Sequence, residues 1–445
     1  HCFVPDSMGG TELYALRLAQ HLAARGDQVS VLTYAEGDTR EVVARDEEYQ
    51  GIPIRRLSFD LDQTSNPILE EYDNRRVATY LKGAFAASRP DLIHVAHFGY
   101  LSASVLDTAN DLGIPSVVTL TDFWPICPKD TLIRSNGSLC QGPTDVGQCV
   151  RCYAHMGPRG APYAFLTRLV PIYAWRVMAR LSGPRLARRT RWGSWLNALV
   201  RRKQVIRQRL LGAEAIFCPG AFLREILVRN GYPPERIRLS PHGIADPGRL
   251  RRATPIATGP TLRFGYVGAL AEHKGAHLPV EAFASTSSEL AASLTYRGAL
   301  GAASPRDAYA ASVLARIGET PLVSHRGPYA NEAVKEVMES LDVLIVPSMC
   351  YENTPTVIYE ALASGTPVIA SDQGGMRGLV LEYRGGWLFP RGDAPALACL
   401  MKSLAENPET VRRVARGIRP VPGFAAHFRE VSLAYTGILS REGVP

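Results

Sequence analysis

The segment Tyr351–Gly365, YENTPTVIYEALASG, decides how the rest of the chain is read. DVLIVPS (Asp342–Ser348) precedes it and PVIAS (Pro367–Ser371) follows, two short apolar runs of the kind that form fully buried strands. A helix between two such strands is a βαβ crossover, whose strand ends are where ligands bind. Thr354 is expected to cap this helix, Pro355 to sit in its first turn, where a missing N–H costs nothing, and Gly365 to end it in the left-handed conformation. The amides of Thr356 and Val357 are then donors without intrahelical partners, and with the helix dipole they suit a phosphate or diphosphate. Glu360 lies about 7.5 Å along the axis from Pro355, near where the ribose of a bound nucleotide would sit. Glu352, ahead of the helix, is left on the far side of the phosphates, beside a transferred group.

The same alternation extends in both directions. Upstream, CFVP, a helix from Thr11 to Ala24, QVSVLTY, PIRRLSF, DLIHVA, SVVTLTD and GAEAIFCPG read as strands and helices of a parallel doubly wound sheet, with Leu13, Leu16, Leu18 and Leu22 on the buried side of the first helix. A helix is expected at Phe222 to Asn230. TLRFGYVGAL, SLTYRGAL, LVSHRGPY, DVLIVPS, PVIAS and GGWLF are the strands of a second domain, and the Pro- and Gly-rich stretch RIRLSPHGIADPGRLRRATPIATGP marks the linker. At 445 residues and 48.5 kDa the chain suits two domains of about 200 residues each. The expected division is an N-terminal domain over 1–245 with insertions at 127–152 and 153–211, a linker at 246–262, and a C-terminal domain over 263–424. A final helix, 425–445, is expected to pack back on the first domain.

With its strand, loop, Pro start and Gly stop, the pair Glu352 and Glu360 resembles the Glu-x7-Glu element of retaining, nucleotide-sugar-dependent glycosyltransferases of family 4. The resemblance implies an α/β GT-B fold: two Rossmann-like doubly wound domains facing a central cleft. It implies that Glu352 contacts the donor sugar and Glu360 the ribose, with Asn353, Thr354, Pro355, Thr356 and Val357 around the donor. Gly9 and Gly10 in GGTE resemble the family's N-terminal glycine loop, which approaches the donor phosphates; bare glycines also permit an ordinary turn. FGYVGALAEHKGAHLPVEAF resembles the donor-phosphate segment, with Gly268 and Lys274 in place, but Ala269 stands where an Arg is usual. Lys274 must then carry more of the charge, with Arg326 (HRGPY) as a helper. His242 in PHGIAD matches a linker position that contacts the donor. The family's His-Asp pair is altered: Thr121 replaces His, and Asp122 remains. A hydroxyl cannot act as imidazole does at neutral pH, whereas in the family's retaining mechanism the departing phosphate itself can take the acceptor proton. His94 and His97 lie near the same sheet edge, as structural histidines or as acceptor contacts.

Two features fall outside this frame. Between Asp145 and Glu214 there are fourteen Lys and Arg and no acidic residue, so the net charge of +8 is local. With Trp175, Trp192 and Trp195 among apolar runs, the segment fits an anionic membrane surface; an ordinary solvated face and nucleic acid are the alternatives, the last not expected. Cys127, Cys140, Cys149 and Cys152 fall within 26 residues, a spacing that suits a structural zinc, with an iron–sulfur cluster or free or disulfide-bonded thiols as alternatives. A similar four-cysteine insertion marks a subset of the resembled family. Cys2, Cys218, Cys350 and Cys399 read as buried small apolar residues. Asp60 and Asp62 imitate a metal-binding Asp-x-Asp only weakly, and no catalytic metal is expected.

The expected activity is metal-independent, retaining transfer of a hexosyl group from a nucleotide-diphosphate sugar, UDP- or GDP-linked, to a glycan, lipid-linked or small-molecule acceptor. Lys274, Glu352 and Asp122 are the expected catalytic residues. The setting is cell-surface polysaccharide or glycolipid synthesis by a cytoplasmic protein, peripheral at the inner membrane face. A sugar-nucleotide epimerase or phosphorylase on the same fold, and a non-enzymatic nucleic-acid binder using the Arg-rich segment, are the competing readings.

Overall fold

The computed structural model of the chain describes residues 2–7, 9–61, 63–64, 66–142, 145–156, 169–182, 190–256, 258–259, 261–286, 290–299 and 308–441. It divides into two units, one of His1–Pro241 with His427–Pro445, the other of His242–Ala426.

The second unit is built on parallel strands, of which Val343–Val346 and Val368–Ser371 are buried on both faces. Its six, β8 (Leu262–Val267), β9 (Ala292–Arg297), β10 (Val323–His325), β11 (Val343–Val346), β12 (Val368–Ser371) and β13 (Gly386–Phe389), form one parallel sheet ordered β10-β9-β8-β11-β12-β13. Successive residues of β11 serve opposite cores: Val343 and Ile345 join the cluster with Phe264 and Phe283, while Leu344 and Val346 join the one with Ile358 and Leu362. The period of two thus feeds two helical layers, which is why these runs read as continuous apolar stretches. The crossover helix Thr356–Ser364 follows β11, and Gly365 ends it at φ 83°, a left-handed conformation that glycine adopts without strain.

The first unit carries a parallel sheet ordered β4-β5-β6-β7 from Ile93–Val95, Ser116–Thr119, Ala215–Cys218 and Ile237–Leu239. A separate three-stranded sheet holds β1 (Val31–Glu36), β3 (Ile52–Phe59) and β2 (Val43–Tyr49), with β2 antiparallel to β3. Three sequence readings change here. CFVP is a turn, closed by Ser7 N–H to Phe3 O at 3.2 Å, although Phe3 and Val4 are buried. VARDEEY forms β2 despite its charge, because a sheet edge needs no apolar alternation when most of its residues face water. Ile237–Leu239, placed in the linker from its neighbouring prolines, pairs with β6. Of the four leucines on the first helix, Gly10–Arg25, Leu16 and Leu18 are buried, while Leu13 and Leu22 are half-buried.

The final helix, Phe424–Leu439, is tied into the first unit by a buried chain of hydrogen bonds. Ser240 Oγ meets His427 Nδ1 at 2.8 Å, and His427 Nε2 meets Tyr14 Oη at 3.0 Å. Thr119 Oγ1 lies 2.8 Å from both Tyr14 Oη and His94 Nε2, and His94 Nδ1 lies 2.5 Å from Tyr435 Oη. Every member is satisfied by a neighbour, which makes burial of these polar atoms tolerable. Among the described residues no helix is long and apolar enough to cross a membrane.

Candidate functional site

In the second unit, Pro355 itself occupies the cap position of the crossover helix, extended at φ −62° and ψ 118°, and no side chain caps it. Thr354 is therefore not the cap; its hydroxyl lies 3.4 Å from Nε2 of the buried His242. Ile358 N–H turns back to Pro355 O at 3.1 Å. Among the described residues, the amides of Thr356 and Val357 have no acceptor, which leaves the positive end of the helix dipole open. The loop before it is fixed from β12: Gln373 Nε2 donates to Ser348 O (2.7 Å) and Cys350 O (2.9 Å), and Gly375 N–H donates to Glu352 O (2.9 Å). A Cβ at Gly375 would stand 1.6 Å from Asn353 O, so only glycine permits this approach.

Lys274 and Glu352 meet: Nζ lies 2.7 Å from Oε1, which also accepts from Ser348 Oγ at 3.0 Å. Gly275, at φ 68° and without room for a Cβ against Pro347 O (2.2 Å), carries Lys274 to the end of β11. Burial opposes the ammonium, but the Glu352 carboxylate outweighs it and raises the Lys274 pKa. The glycine loop closes on β9, with Gly268 N–H to Arg297 O at 2.9 Å. Arg326 is exposed at its side chain and tied through its amide to Tyr296 O at 3.0 Å. Arg297, at the end of β9, is the cation that the sequence reading passed over. Burial first, then the Glu360 carboxylate, push the Tyr329 phenol up, while Arg297 pulls it down, so Tyr329, Glu360 and Arg297 are neighbours. Arg297 Nε is buried without a hydrogen-bond partner among the described residues. The signal was present as an Arg at a strand's carboxyl end in SLTYRGAL, one residue before a glycine.

In the first unit, Gly9 and Gly10 open the first helix. Glu12, 4% exposed, accepts from Ser7 Oγ at 2.5 Å, and a Cβ on Gly9 would stand 2.6 Å from its Oε2. Thr11 Oγ1 donates to Thr121 Oγ1 at 2.9 Å, which places the glycine loop against the end of β5. Asp122 finds its histidine on the neighbouring strand: His97 Nε2 lies 2.6 Å from Oδ2, and Trp124 N–H donates to Oδ1 at 2.9 Å. Gly99 N–H donates to His97 Nδ1 at 2.7 Å, so Nε2 carries the proton toward Asp122. Burial disfavours the imidazolium, but Asp122 more than offsets it, and the His97 pKa is raised. Thr121 is thus no loss of the pair, because an imidazole reaches Asp122 from the end of β4 instead. These residues line a small open pocket with Phe98, Trp124 and Pro125. His94 belongs to the buried chain described above.

Cys127, Cys140, Cys149 and Cys152 line one open pocket, with all four thiols free. Burial, then its three neighbours, pushes the Cys149 thiol up to about 12. Among the described residues, however, no three His, Cys, Asp or Glu side chains are arranged to hold a metal ion. The set shares a cavity but does not present a coordination geometry for zinc or an iron–sulfur cluster. Of the other thiols, Cys218 and Cys350 are buried, but Cys399 is exposed and Cys2 is intermediate. Asp62 of the DLD motif lies outside the described residues.

The D-inositol 3-phosphate glycosyltransferase of Thermomonospora curvata is 26% identical over 428 residues, 92% of this chain and 85% of that one. Amylovoran biosynthesis glycosyltransferase AmsK of Erwinia amylovora is 26% identical over 198 residues, 43% of this chain, and 2-deoxystreptamine glucosyltransferase of Streptomyces kanamyceticus is 30% identical over 227, 48% of this chain. The chain spans only about half the length of these last two, 48% and 56%. HepE of Anabaena in complex with UDP shares the fold at a TM-score of 0.62 and 16% identity, over 98% of both chains. Sucrose-phosphate synthase of Thermosynechococcus elongatus shares it at 0.59 and 18%, over 97% of this chain and 94% of that one. The α/β architecture is that of the GT-B glycosyltransferases. The model of the family described as Glycosyl transferases group 1 matches residues 261–407, and that of Glycosyltransferase Family 4 matches residues 8–246. With more than half of its length covered by that second match, the chain belongs to glycosyltransferase family 4.

Proposed function

We propose that the protein transfers a sugar, with retention of anomeric configuration, from a UDP- or GDP-sugar to a glycan or lipid-linked acceptor in cell-surface polysaccharide synthesis. The observation that carries this reading is the uncapped start of the helix at Thr356 and Val357, with the Lys274–Glu352 pair beside it. The two amides hold the diphosphate, and Lys274 turns from Glu352 toward the charge that develops on the departing phosphate. As the C1–O bond breaks, its electron pair passes to the diphosphate, the acceptor oxygen bonds to C1 on the same face, and the acceptor proton passes to the leaving phosphate. Glu352, relieved of Lys274, bonds a hydroxyl of the donor sugar, and Glu360 holds the ribose. Asn353, Pro355, Gly268 and His242 shape the donor pocket, and Arg297, joined by Arg326, replaces the cation missing at Ala269. In the first unit, Gly9 and Gly10 are the candidate anion contacts, and Asp122, held by His97, orients the acceptor.

Support for the donor class comes from the solved relatives, among them HepE with UDP and glucose. Support for the polysaccharide setting comes from AmsK. The four cysteines brace the loop beside Asp122, and a zinc ion would require them to close further around their cavity; metal analysis of the purified protein tests this. The decisive experiment for the main reading is calorimetric titration with UDP-glucose and GDP-mannose, each with wild type and Lys274→Ala. Binding of one donor, weakened about tenfold or more in the variant, is expected; absence of binding by either donor would refute the reading.

A further inference from the structure

We propose that the outward face of helix Ile172–Leu181, together with Trp192, docks the protein on an anionic bilayer. This helix buries Trp175 and Ala179 against Ile68, Val150, Ala198 and Leu199. Its opposite side is apolar as well. Tyr173, Val177 and Leu181 recur every fourth residue and are 66%, 47% and 61% exposed, so they form one continuous stripe. Leu169, three residues before the helix, and Trp192, at the start of the next, are likewise exposed, at 64% and 74%. Among the described residues, only one of the two apolar sides of this helix has a partner.

Cations rim the stripe. Arg176 and Arg180 are exposed and lie beside Tyr173 and Val177 on the helix surface, with Arg176 held by Asp145 at 2.8 Å. Arg191, also exposed, rests its guanidinium 4.9 Å from the Trp195 ring centroid. By contrast, Arg202 is 2% exposed and paired with Glu71 at 2.8 Å, and Arg209 is paired with Asp73 and Asp107. Much of the basic charge on the long helix Arg191–Leu211 therefore turns inward, and the docking face is the shorter helix rather than the whole Arg180 to Arg209 region. An apolar stripe flanked by arginine, with Tyr and Trp at its margin, matches the acyl boundary and the negative headgroups of one surface together. A nucleic-acid duplex would leave the stripe unused.

The proposal deepens the lipid-linked acceptor reading by naming where the protein meets the lipid, and donor binding is measured separately so that the two can fail independently. The full chain is sedimented with vesicles of phosphatidylglycerol in phosphatidylcholine and with pure phosphatidylcholine. Wild type should partition onto the anionic vesicles in a salt-sensitive manner, and Tyr173→Ser, Val177→Ser, Leu181→Ser combined should reduce that partition by about tenfold or more. Arg180→Gln with Arg191→Gln should lower partition onto anionic vesicles only. Thermal shift with UDP, unchanged in these variants, shows that the fold persists. Absence of wild-type partition, equal partition of the triple serine variant, or conversion of a dimer to a monomer by that variant in sedimentation velocity would overturn the proposal.

Discussion

His94 should make the stability of the first unit depend on pH in a way that one substitution removes. Its half-buried ring bonds Thr119 and Tyr435, and desolvation in this setting, helped by His427, holds its pKa at about 3 rather than 6.5. Below pH 6.5 the unfolded chain binds a proton at this position and the native one does not, so the native state loses ground as pH falls toward 3. At pH 5 the loss is about 2 kcal/mol, and over the whole interval down to the folded value it approaches about 5 kcal/mol. Asp130 acts in the opposite sense. Burial, then Asp122, push its carboxyl from 3.8 up to about 7, so stability from this group is present at low pH and is lost as pH rises across that interval. The two trends overlap, and only the difference between wild type and His94→Gln isolates the histidine. Amide hydrogen exchange of β5 and the final helix, measured at pH 5 and pH 8, provides the readout. Wild type should lose about 2 kcal/mol more than the variant on acidification; parallel behaviour of the two proteins would refute the reasoning.

Four further outcomes are expected. Glu360→Ala should weaken UDP binding by about tenfold in calorimetry, as a hydrogen bond to the ribose is lost. Glu352→Ala should leave UDP affinity within about threefold but lower kcat by roughly a hundredfold, since the contact it makes is to the transferred group. Gly375→Ala should destabilise the second unit by about 2 kcal/mol or more in urea unfolding, because its Cβ would overlap Asn353 O. Arg202→Ala should cost the first unit about 3 kcal/mol, since it leaves Glu71 without its partner and removes the guanidinium over Trp124, 4.7 Å from the ring centroid.

The second unit was legible in the sequence because its strands β11 and β12 are buried on both faces and read as uninterrupted apolar runs, while Gly and Pro punctuate the others. Five of its six strands lie within the runs identified, and β9 begins one residue ahead of SLTYRGAL. β2 was missed because most of its residues face water and obey no burial pattern, and CFVP was misread because buried apolar residues occur in turns as readily as in strands. The Glu352, Thr356 and Glu360 spacing could be read because it is local, set by one helix. The cap was misassigned by one residue: Thr354 suits a cap and Pro355 the first turn, yet the structure puts Pro355 at the cap position and the Thr354 hydroxyl 3.4 Å from His242 Nε2.

What the sequence by itself determined is local chemistry: the alternating elements, the place where the crossover helix begins and ends, and a lysine just ahead of a glycine. What only the tertiary structure decided is which distant side chains meet. Thr121 in TLTD marks the absence of a neighbouring histidine, yet the parallel register of β4 and β5 brings His97 within 2.6 Å of Asp122 from 25 residues away. Likewise the fourteen cations of the insertion are equal in composition, and packing alone turns Arg202 inward while Arg180 stays exposed. Periodicity fixes how a side chain points within its own element; the pairing of strands and the docking of helices fix what it points at.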